Sequence, residues 1–145
     1  MTVPTPRPQG LYVPATRHGA LIFTAGMTPR LNGVLQLTGP VRADAPLEDY
    51  RAAVDLACAN AIQAAISLLA EGERLDAVLS LTIYVMAEAG FMQHAAFADM
   101  ASECVQRLVP TSGLPARTTV GVFTLPSGAP VEIQLAASVT PTHRV

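Results

Sequence analysis

Lysine is missing from this sequence, because all nine basic residues are arginine. A chain without lysine cannot form a lysine Schiff base with a carbonyl substrate, anchor pyridoxal phosphate in the usual way or carry a P-loop. The GxGxxG, GxSxG and HExxH patterns are missing too. These absences remove the usual signatures of dinucleotide binding, serine hydrolysis and zinc proteolysis, and we expect no cofactor.

Charge is also scarce. Charged residues make up 14% of the chain, the formal net charge is −2, and the arginines are scattered singly. Nucleic-acid binding requires a concentrated positive surface, so we expect no nucleic-acid partner.

Residues that bind metals are few and far apart. Cys58 and Cys104 lie in two segments that both read as helix, and neither has metal-type spacing around it. The three histidines, His18, His94 and His143, have no partner at ligand or catalytic-triad spacing. We therefore expect neither a metal site nor a disulfide framework.

Long apolar runs are lacking as well. The longest apolar segments are interrupted well before the roughly 20 residues needed to cross a bilayer, so we expect no membrane partner. The proline-rich start has no apolar core of a secretory signal, which favours a cytoplasmic location. The length of 145 residues predicts one domain, 1–145, with residues 1–9 as a flexible tail.

What is present is a pattern of strands and helices in the order ββ-α-β-α-ββ. Two short strands at 11–16 and 20–26 form a hairpin, and a polar loop with Asn32 and Gly33 follows. Helical spacing runs from Asp44 to Gly72 and again over 90–108, around an alternating strand at 79–86. Two final strands, 114–122 and 131–139, form a second hairpin across the turn at 125–128. This order predicts an α+β fold with one antiparallel or mixed sheet and both helices on its apolar face.

The strand at 79–86 predicts how the sheet divides into two faces. Leu79, Leu81, Ile83 and Val85 alternate with polar neighbours and form the apolar face. The other face carries Thr82, Tyr84, Thr119, Glu132 and Gln134. Such a polar sheet face is either plain surface or an assembly face.

Arg117 and Glu132 stand out because the chain around them is nearly uncharged. Arg117 is the only basic side chain between Arg107 and His143, and Glu132 is the only acidic residue after Glu103. In a hairpin of these two strands, Arg117 and Glu132 would lie roughly 20 Å apart. If both serve one site, they must come from neighbouring subunits.

Three blocks of the sequence carry a family resemblance: Leu11-Tyr12-Val13 ahead of residues 21–29, the strand at 79–85 ahead of Phe91, and Pro115-Ala116-Arg117 answered by Val131-Glu132-Ile133. Together they resemble the RidA/YjgF family of small trimeric imine deaminases, and the match covers nearly the whole chain. The resemblance implies a chorismate mutase-like fold, a homotrimer, and clefts between subunits that bind a small carboxylate substrate.

The resemblance also implies roles for individual residues. Arg117 would grip the substrate carboxylate, while Glu132 and Tyr12 would serve the chemistry. The backbone at Ala25 and Gly26 would offer N–H donors, and Phe91 and Thr119 would line the cleft. The implied reaction is hydrolysis of reactive imines or enamines to 2-oxo acids and ammonia.

Three positions depart from the family pattern, because Ala25, Ala95 and Thr119 stand where that group usually has serine, asparagine and cysteine. These departures enlarge the cleft, make it more apolar and favour a bulkier substrate. They also leave open a non-catalytic trimer that binds a small carboxylate and acts as a sensor or regulator. RNA cleavage, a label that some family members carry, is disfavoured by the acidic charge balance.

Overall fold

The computed structural model describes residues 4–142 of the protein. The chain forms β1 Ala15–His18, β2 Leu21–Thr24, β3 Arg30–Leu31, β4 Val34–Leu35, a 3₁₀ turn at Leu47–Tyr50, α1 Arg51–Ile66, β5 Glu73–Met86, α2 His94–Leu108, β6 Ala116–Val122 and β7 Val131–Pro141. Residues 1–3 of the predicted tail and His143 lie outside the described residues.

The main sheet has five strands in the order β1-β2-β7-β5-β6. Strands β5 and β6 run parallel, whereas the other neighbouring pairs are antiparallel. Residues of both helices share one core cluster with the inward side chains of the sheet, among them Leu81, Ile83 and Ile133, each 0% exposed. The predicted α+β architecture, a mixed sheet with two packed helices, is confirmed.

The alanine-rich face of α1 packs closely against the sheet. Ala57, Ala61 and Ala65 are fully buried in the core cluster. The helix ends at Ile66, earlier than the predicted end at Gly72, because the following residues form tighter turns. In these turns Leu68 N–H donates to the Ala65 carbonyl at 3.2 Å.

The polar loop around Asn32 and Gly33 is a second, very small hairpin. Leu31 pairs with Val34, and the two residues between them have positive φ angles of 51° and 81°. Both values suit the two-residue turn that Asn-Gly favours. This hairpin stands at one wall of the cavity described below.

The predicted hairpin between the last two strands is wrong. Strand β6 pairs in parallel with β5, and β7 pairs with β5 and β2, so β5 separates the two strands. Residues 123–130 therefore connect two non-adjacent strands. A turn-forming sequence between two strands does not decide whether they pair, because a central strand with a longer apolar face can pair with both.

Strand β5 is longer than the predicted 79–86, and Leu79 is not on its apolar face. Between Val78 and Ser80 the pairing with β7 shifts by one residue, which marks a β-bulge. Val78 is 2% exposed and Leu79 47% exposed. The strict alternation holds only after the bulge, from Leu81 onward.

Pairing across the sheet also corrects the face predicted for Thr119. Thr119 pairs with buried Ile83, so its side chain lies on the helix-covered face. Tyr84 pairs with Glu132 and Thr82 with Gln134, and these four residues are on the open face, as predicted. On that face Tyr84 Oη donates to Gln134 Oε1 at 3.3 Å.

Within residues 4–142, neither helix has the length and apolar character that crossing a membrane requires.

Candidate functional site

Arg117 lies on the helix-covered face of β6, and its guanidinium reaches α2. Nη1 donates to Asp99 Oδ1 at 2.8 Å and to Ser102 Oγ at 3.0 Å, while Nη2 donates to the Ala95 carbonyl at 3.2 Å. The Arg117 side chain is 21% exposed, whereas Asp99 is 63% exposed. The arginine is thus held in one orientation by groups of its own chain.

These contacts use three of the five N–H donors of the Arg117 guanidinium. The other two have no hydrogen-bond partner in the part of the chain that the structure describes. A carboxylate bound by arginine typically accepts two N–H donors at once. Arg117 therefore keeps the capacity to hold one carboxylate.

The sequence interpretation missed the partners of Arg117. Ala95, Asp99 and Ser102 follow one another at intervals of four and three residues, so they share one face of α2. The apolar periodicity of the helix predicts its buried face but not the contacts of its polar positions. The polar spacing was the signal that could have identified the partners.

Glu132 lies on the open face of the sheet, next to Tyr84 of the neighbouring strand. Among the described residues, no cation or hydrogen-bond donor contacts its half-buried carboxylate. Burial raises the pKa of the Glu132 carboxyl above its ordinary value, because water is partly excluded from the charged form. An unpaired carboxylate with a raised pKa is suited to accept and return a proton.

Gly26 makes room for that carboxylate. A Cβ atom at position 26 would lie 2.8 Å from Glu132 Cδ and 3.0 Å from Oε1, well inside van der Waals contact. The neighbouring Ala25 N–H is already donated to the Pro14 carbonyl at 2.8 Å. Of the two backbone groups predicted as ligand donors, the Ala25 N–H is therefore occupied, and Gly26 acts by letting Glu132 approach.

Tyr12 belongs to the same side of the molecule as Gly26, since both line one cavity. Tyr12 is 48% exposed, and its hydroxyl oxygen accepts a hydrogen bond from the Gln9 N–H at 3.1 Å. The hydroxyl proton remains free to be donated to a ligand. Tyr12, Gly26 and Glu132 form what we call the acid half-site.

The other predicted cleft residues lie just before α2 and on β6. Phe91 is 7% exposed and packs edge-on against His94 and Phe97, with ring centroids 5.1 Å and 6.3 Å away. Thr119 Oγ1 is buried without a hydrogen-bond partner among the described residues. With Arg117 and its α2 partners, Phe91 and Thr119 form what we call the arginine half-site.

The two half-sites lie on opposite faces of the sheet. Arg117 pairs with inward-facing Leu81, and Glu132 pairs with outward-facing Tyr84. The hairpin that would separate Arg117 from Glu132 by roughly 20 Å is absent. That one chain cannot bring both residues to one small ligand remains a prediction, and it rests on the alternation of side chains along β6 and β7.

A cavity of about 560 Å³ adjoins the acid half-site. Its walls are the N-terminal segment from Pro4 to Gln9, Tyr12, the stretch 26–33 and Asn60 of α1. This volume is in the range of pockets that bind small molecules. The sequence interpretation had not predicted this cavity, because its walls come from parts of the chain that are distant in sequence.

Asn60 is the residue that fixes the floor of this cavity. It is 4% exposed, and Nδ2 donates to the carbonyls of Thr28 at 3.1 Å and Arg30 at 2.8 Å. A buried amide needs such partners, so the side chain holds the loop against the helix. Asn60 is a polar residue within the alanine-rich face of α1, and this pattern is the sequence feature that could have indicated its contact with the loop.

Comparison with known families gives one match over nearly the whole chain. The model of the family described as Endoribonuclease L-PSP matches residues 2–139. A comparison with curated proteins found no match.

Solved structures show the same fold. The protein Atu1372 of Agrobacterium tumefaciens, of unknown function, has 26% sequence identity and a TM-score of 0.79, with 92% of this chain and 85% of that chain covered. The YjgF gene product of E. coli has 23% identity and a TM-score of 0.65, covering 92% of both chains. E. coli TdcF, solved with bound serine, has 19% identity and a TM-score of 0.63, covering 94% of this chain and 93% of that chain.

Proposed function

Because the chain belongs to the endoribonuclease L-PSP family, the predicted RidA/YjgF group, we propose that it hydrolyses reactive 2-imino acids and their enamine tautomers. The products are 2-oxo acids and ammonia. The observation that carries the proposal is the half-buried, unpaired Glu132 carboxylate beside Gly26.

Arg117 holds the substrate by its carboxylate. Two guanidinium N–H groups are free for this contact, while Asp99, Ser102 and the Ala95 carbonyl fix the orientation of the side chain. A side chain that is already ordered loses less entropy when the ligand binds. The serine bound to E. coli TdcF supports a small amino-acid-like ligand for the family's fold.

Glu132 and Tyr12 move the protons. The Glu132 carboxylate accepts a proton from a water molecule as the water oxygen bonds to the imine carbon. The Tyr12 hydroxyl donates its proton to the imine nitrogen as the carbon–nitrogen double bond becomes single, which gives a carbinolamine. The carbinolamine hydroxyl proton then passes to the nitrogen, and the proton held by Glu132 returns to the Tyr12 oxygen. The carbon–nitrogen bond then breaks, ammonia leaves, the 2-oxo acid forms, and Glu132 and Tyr12 return to their starting protonation states.

One site of this kind needs two subunits, and we propose a homotrimer with its clefts between subunits. The open sheet face, which carries the acid half-site, also exposes large apolar side chains. Phe23 is 49% exposed and Val120 39% exposed. Packing this face against another subunit removes apolar surface from water, which favours assembly.

We place the activity in the cytoplasm, since the chain carries two free buried thiols, Cys58 and Cys104, and free thiols persist in reducing compartments.

A non-catalytic carboxylate-binding trimer is the alternative, and one observation favours it. Ala25, Ala95 and Thr119 stand where the family usually has serine, asparagine and cysteine, so fewer side chains can assist the chemistry while Arg117 can still bind a carboxylate. RNA cleavage is a weaker candidate, since six arginines of the described range already pair with carboxylates of the same chain.

The test supplies imines from an amino-acid oxidase and follows 2-oxo acid formation. We expect acceleration by the protein and a loss of roughly a hundredfold or more in kcat/KM for Arg117→Ala, because substrate orientation is removed. Arg42→Gln, a change at an exposed arginine outside both half-sites, is the control. Saturable carboxylate binding without acceleration identifies the binder, and cleavage of RNA by a nuclease-free preparation identifies the ribonuclease.

A further inference from the structure

Two arginines of the described range differ from the others in having no carboxylate partner there. The range contains eight of the nine arginines, Arg144 being outside it. Six of the eight form ion pairs: Arg17, Arg42, Arg51, Arg74, Arg107 and Arg117. The remaining two, Arg7 and Arg30, both line the cavity of about 560 Å³.

Arg30 is held in place by neutral groups. Nη1 donates to the Gly33 carbonyl at 3.0 Å, and Nη2 donates to Ser127 Oγ at 2.8 Å. The Asn60 amide fixes the Arg30 backbone through its carbonyl at 2.8 Å. The Arg30 side chain is therefore ordered, and it forms no ion pair with a carboxylate among the described residues.

The rest of the cavity wall is uncharged. No aspartate or glutamate is among the described residues that line it, whereas Asn60, Tyr12, Thr5 and Thr28 add polar groups. A smaller cleft elsewhere shows the opposite balance, since Arg42 shares its walls with Asp49 and Glu88. Two arginines without carboxylate partners in the described range that line one cavity produce a local positive potential that attracts an anion.

We propose that this cavity binds an oxyanion group, a carboxylate or a phosphate, of a small organic molecule. Arg30 supplies the fixed, charge-assisted hydrogen bonds. Arg7, which is exposed on the N-terminal segment, closes over the anion from the other side.

The position of the cavity identifies the molecule as a substrate with two acidic ends, an inference that rests on the proposed function. Tyr12 and Gly26 line the cavity and belong to the acid half-site as well. A substrate bound at the acid half-site therefore reaches this cavity past Tyr12 and Gly26, and a second acidic group on it would meet Arg30 and Arg7. The preferred substrates are thus imines of dicarboxylic or phosphorylated amino acids.

Direct binding tests the cavity without any turnover. Calorimetric titration with glutarate, 3-phosphonopropionate and the monocarboxylate butyrate compares two acidic ends with one. We expect at least one of the two dianions to bind roughly tenfold more tightly than butyrate, the effect of one additional charge-assisted contact. Equal affinities for butyrate and both dianions would overturn the proposal.

Variants assign the effect to the two arginines. Arg30→Gln and Arg7→Gln should each reduce the preference for the dianion severalfold, whereas Arg42→Gln should keep it. Arg7→Gln guards against misfolding, because the Arg7 side chain is exposed and its replacement leaves the Asn60 contacts intact. Arg30→Lys retains the charge and should restore part of the preference lost in Arg30→Gln. A preference that persists in both glutamine variants rejects the cavity as its origin.

Kinetics separate this inference from the function on which it rests. The ratio of kcat/KM for imines derived from glutamate and from leucine is measured for the protein and for Arg30→Gln. We expect the ratio to fall about tenfold in the variant, with the leucine-derived rate unchanged. An unchanged ratio rejects the dicarboxylate site and leaves the deaminase intact, while dianion binding without any turnover rejects the deaminase and leaves the anion site.

Discussion

The two half-sites differ in how their charged groups are supported. At the arginine half-site, Arg117 is bonded to three groups of α2 and keeps only part of its donor capacity. At the acid half-site, Glu132 has no ionic partner among the described residues and is half-buried against Gly26. The positive charge of Arg117 is thus stabilised by its partners on α2, whereas the negative charge of Glu132 is destabilised by partial burial.

This difference assigns different tasks to the two charges. A cation that its own chain has oriented is suited to recognition, because little ordering remains to be done on binding. A carboxylate that is partly desolvated and unpaired is suited to proton transfer, because its pKa is raised. Their location on opposite faces of one sheet suggests that the complete site forms only when two chains meet.

Subunit mixing tests that separation most directly. Arg117→Ala and Glu132→Gln chains, each inactive alone, are refolded together in equal amounts. If each site takes its arginine and its glutamate from different subunits, about one quarter of the sites become intact, since each intact partner is present with a chance of one half. Activity assays of the mixture check this. Recovery of no activity in a properly assembled mixture contradicts the two-subunit site.

Gly26→Ala alters the acid half-site alone. The added methyl group meets Glu132 Cδ at 2.8 Å, so the carboxylate must move. We expect a loss of about tenfold in kcat and a stability cost of roughly 1–3 kcal/mol, the usual cost of overpacking. Carboxylate binding at the arginine half-site should persist in a titration. Ala25→Gly, at the adjacent position, is the matched control.

Asp99→Asn alters the arginine half-site alone. The amide keeps a hydrogen-bond acceptor for Arg117 but removes the negative charge that balances it. Because exposed ion pairs contribute up to about 1 kcal/mol, we expect the substrate KM to fall roughly two- to fivefold, with kcat unchanged. A rise in KM would mean that the Asp99 charge orients the guanidinium more than it competes with the substrate.

The smallest expected effect is that of Glu132→Gln on the free energy of unfolding. The pKa of the Glu132 carboxyl is higher in the folded chain than in the unfolded chain, where it has its ordinary value of 4.5. The cost of ionising this carboxyl therefore grows as the pH rises through the raised pKa, and it is absent below the ordinary value. In urea unfolding, Glu132→Gln should be slightly more stable than the parent near neutral pH and equal to it in acid. Lower stability near neutral pH would point to a favourable partner for the ionised carboxylate.

Local patterns in the sequence predicted most of the elements. Helical spacing marked α1 and α2, alternation marked the second half of β5, and Asn32-Gly33 marked a turn that the structure contains. These features depend on residues close in sequence, whose periodicity and turn preferences act over a few positions. The family resemblance, on motifs around Arg117 and Glu132, is confirmed by the family match.

Strand pairing was beyond the reach of local patterns. The turn at 125–128 looked like a hairpin, yet β5 lies between the strands that flank it, and the bulge at Leu79 breaks an alternation that the sequence shows as continuous. Which strands become neighbours depends on burying the whole apolar face of the sheet beneath two helices. No single segment contains that information.

The sequence by itself determined which residues carry charge in a nearly uncharged region, and it therefore pointed to Arg117 and Glu132. Only the tertiary structure decided that Asp99 pairs with the first, that Gly26 makes room for the second, and that Arg7 and Arg30 share a cavity. Charge and periodicity are properties of the chain, whereas the pairing and desolvation of a charge depend on neighbours that folding brings from far along the sequence.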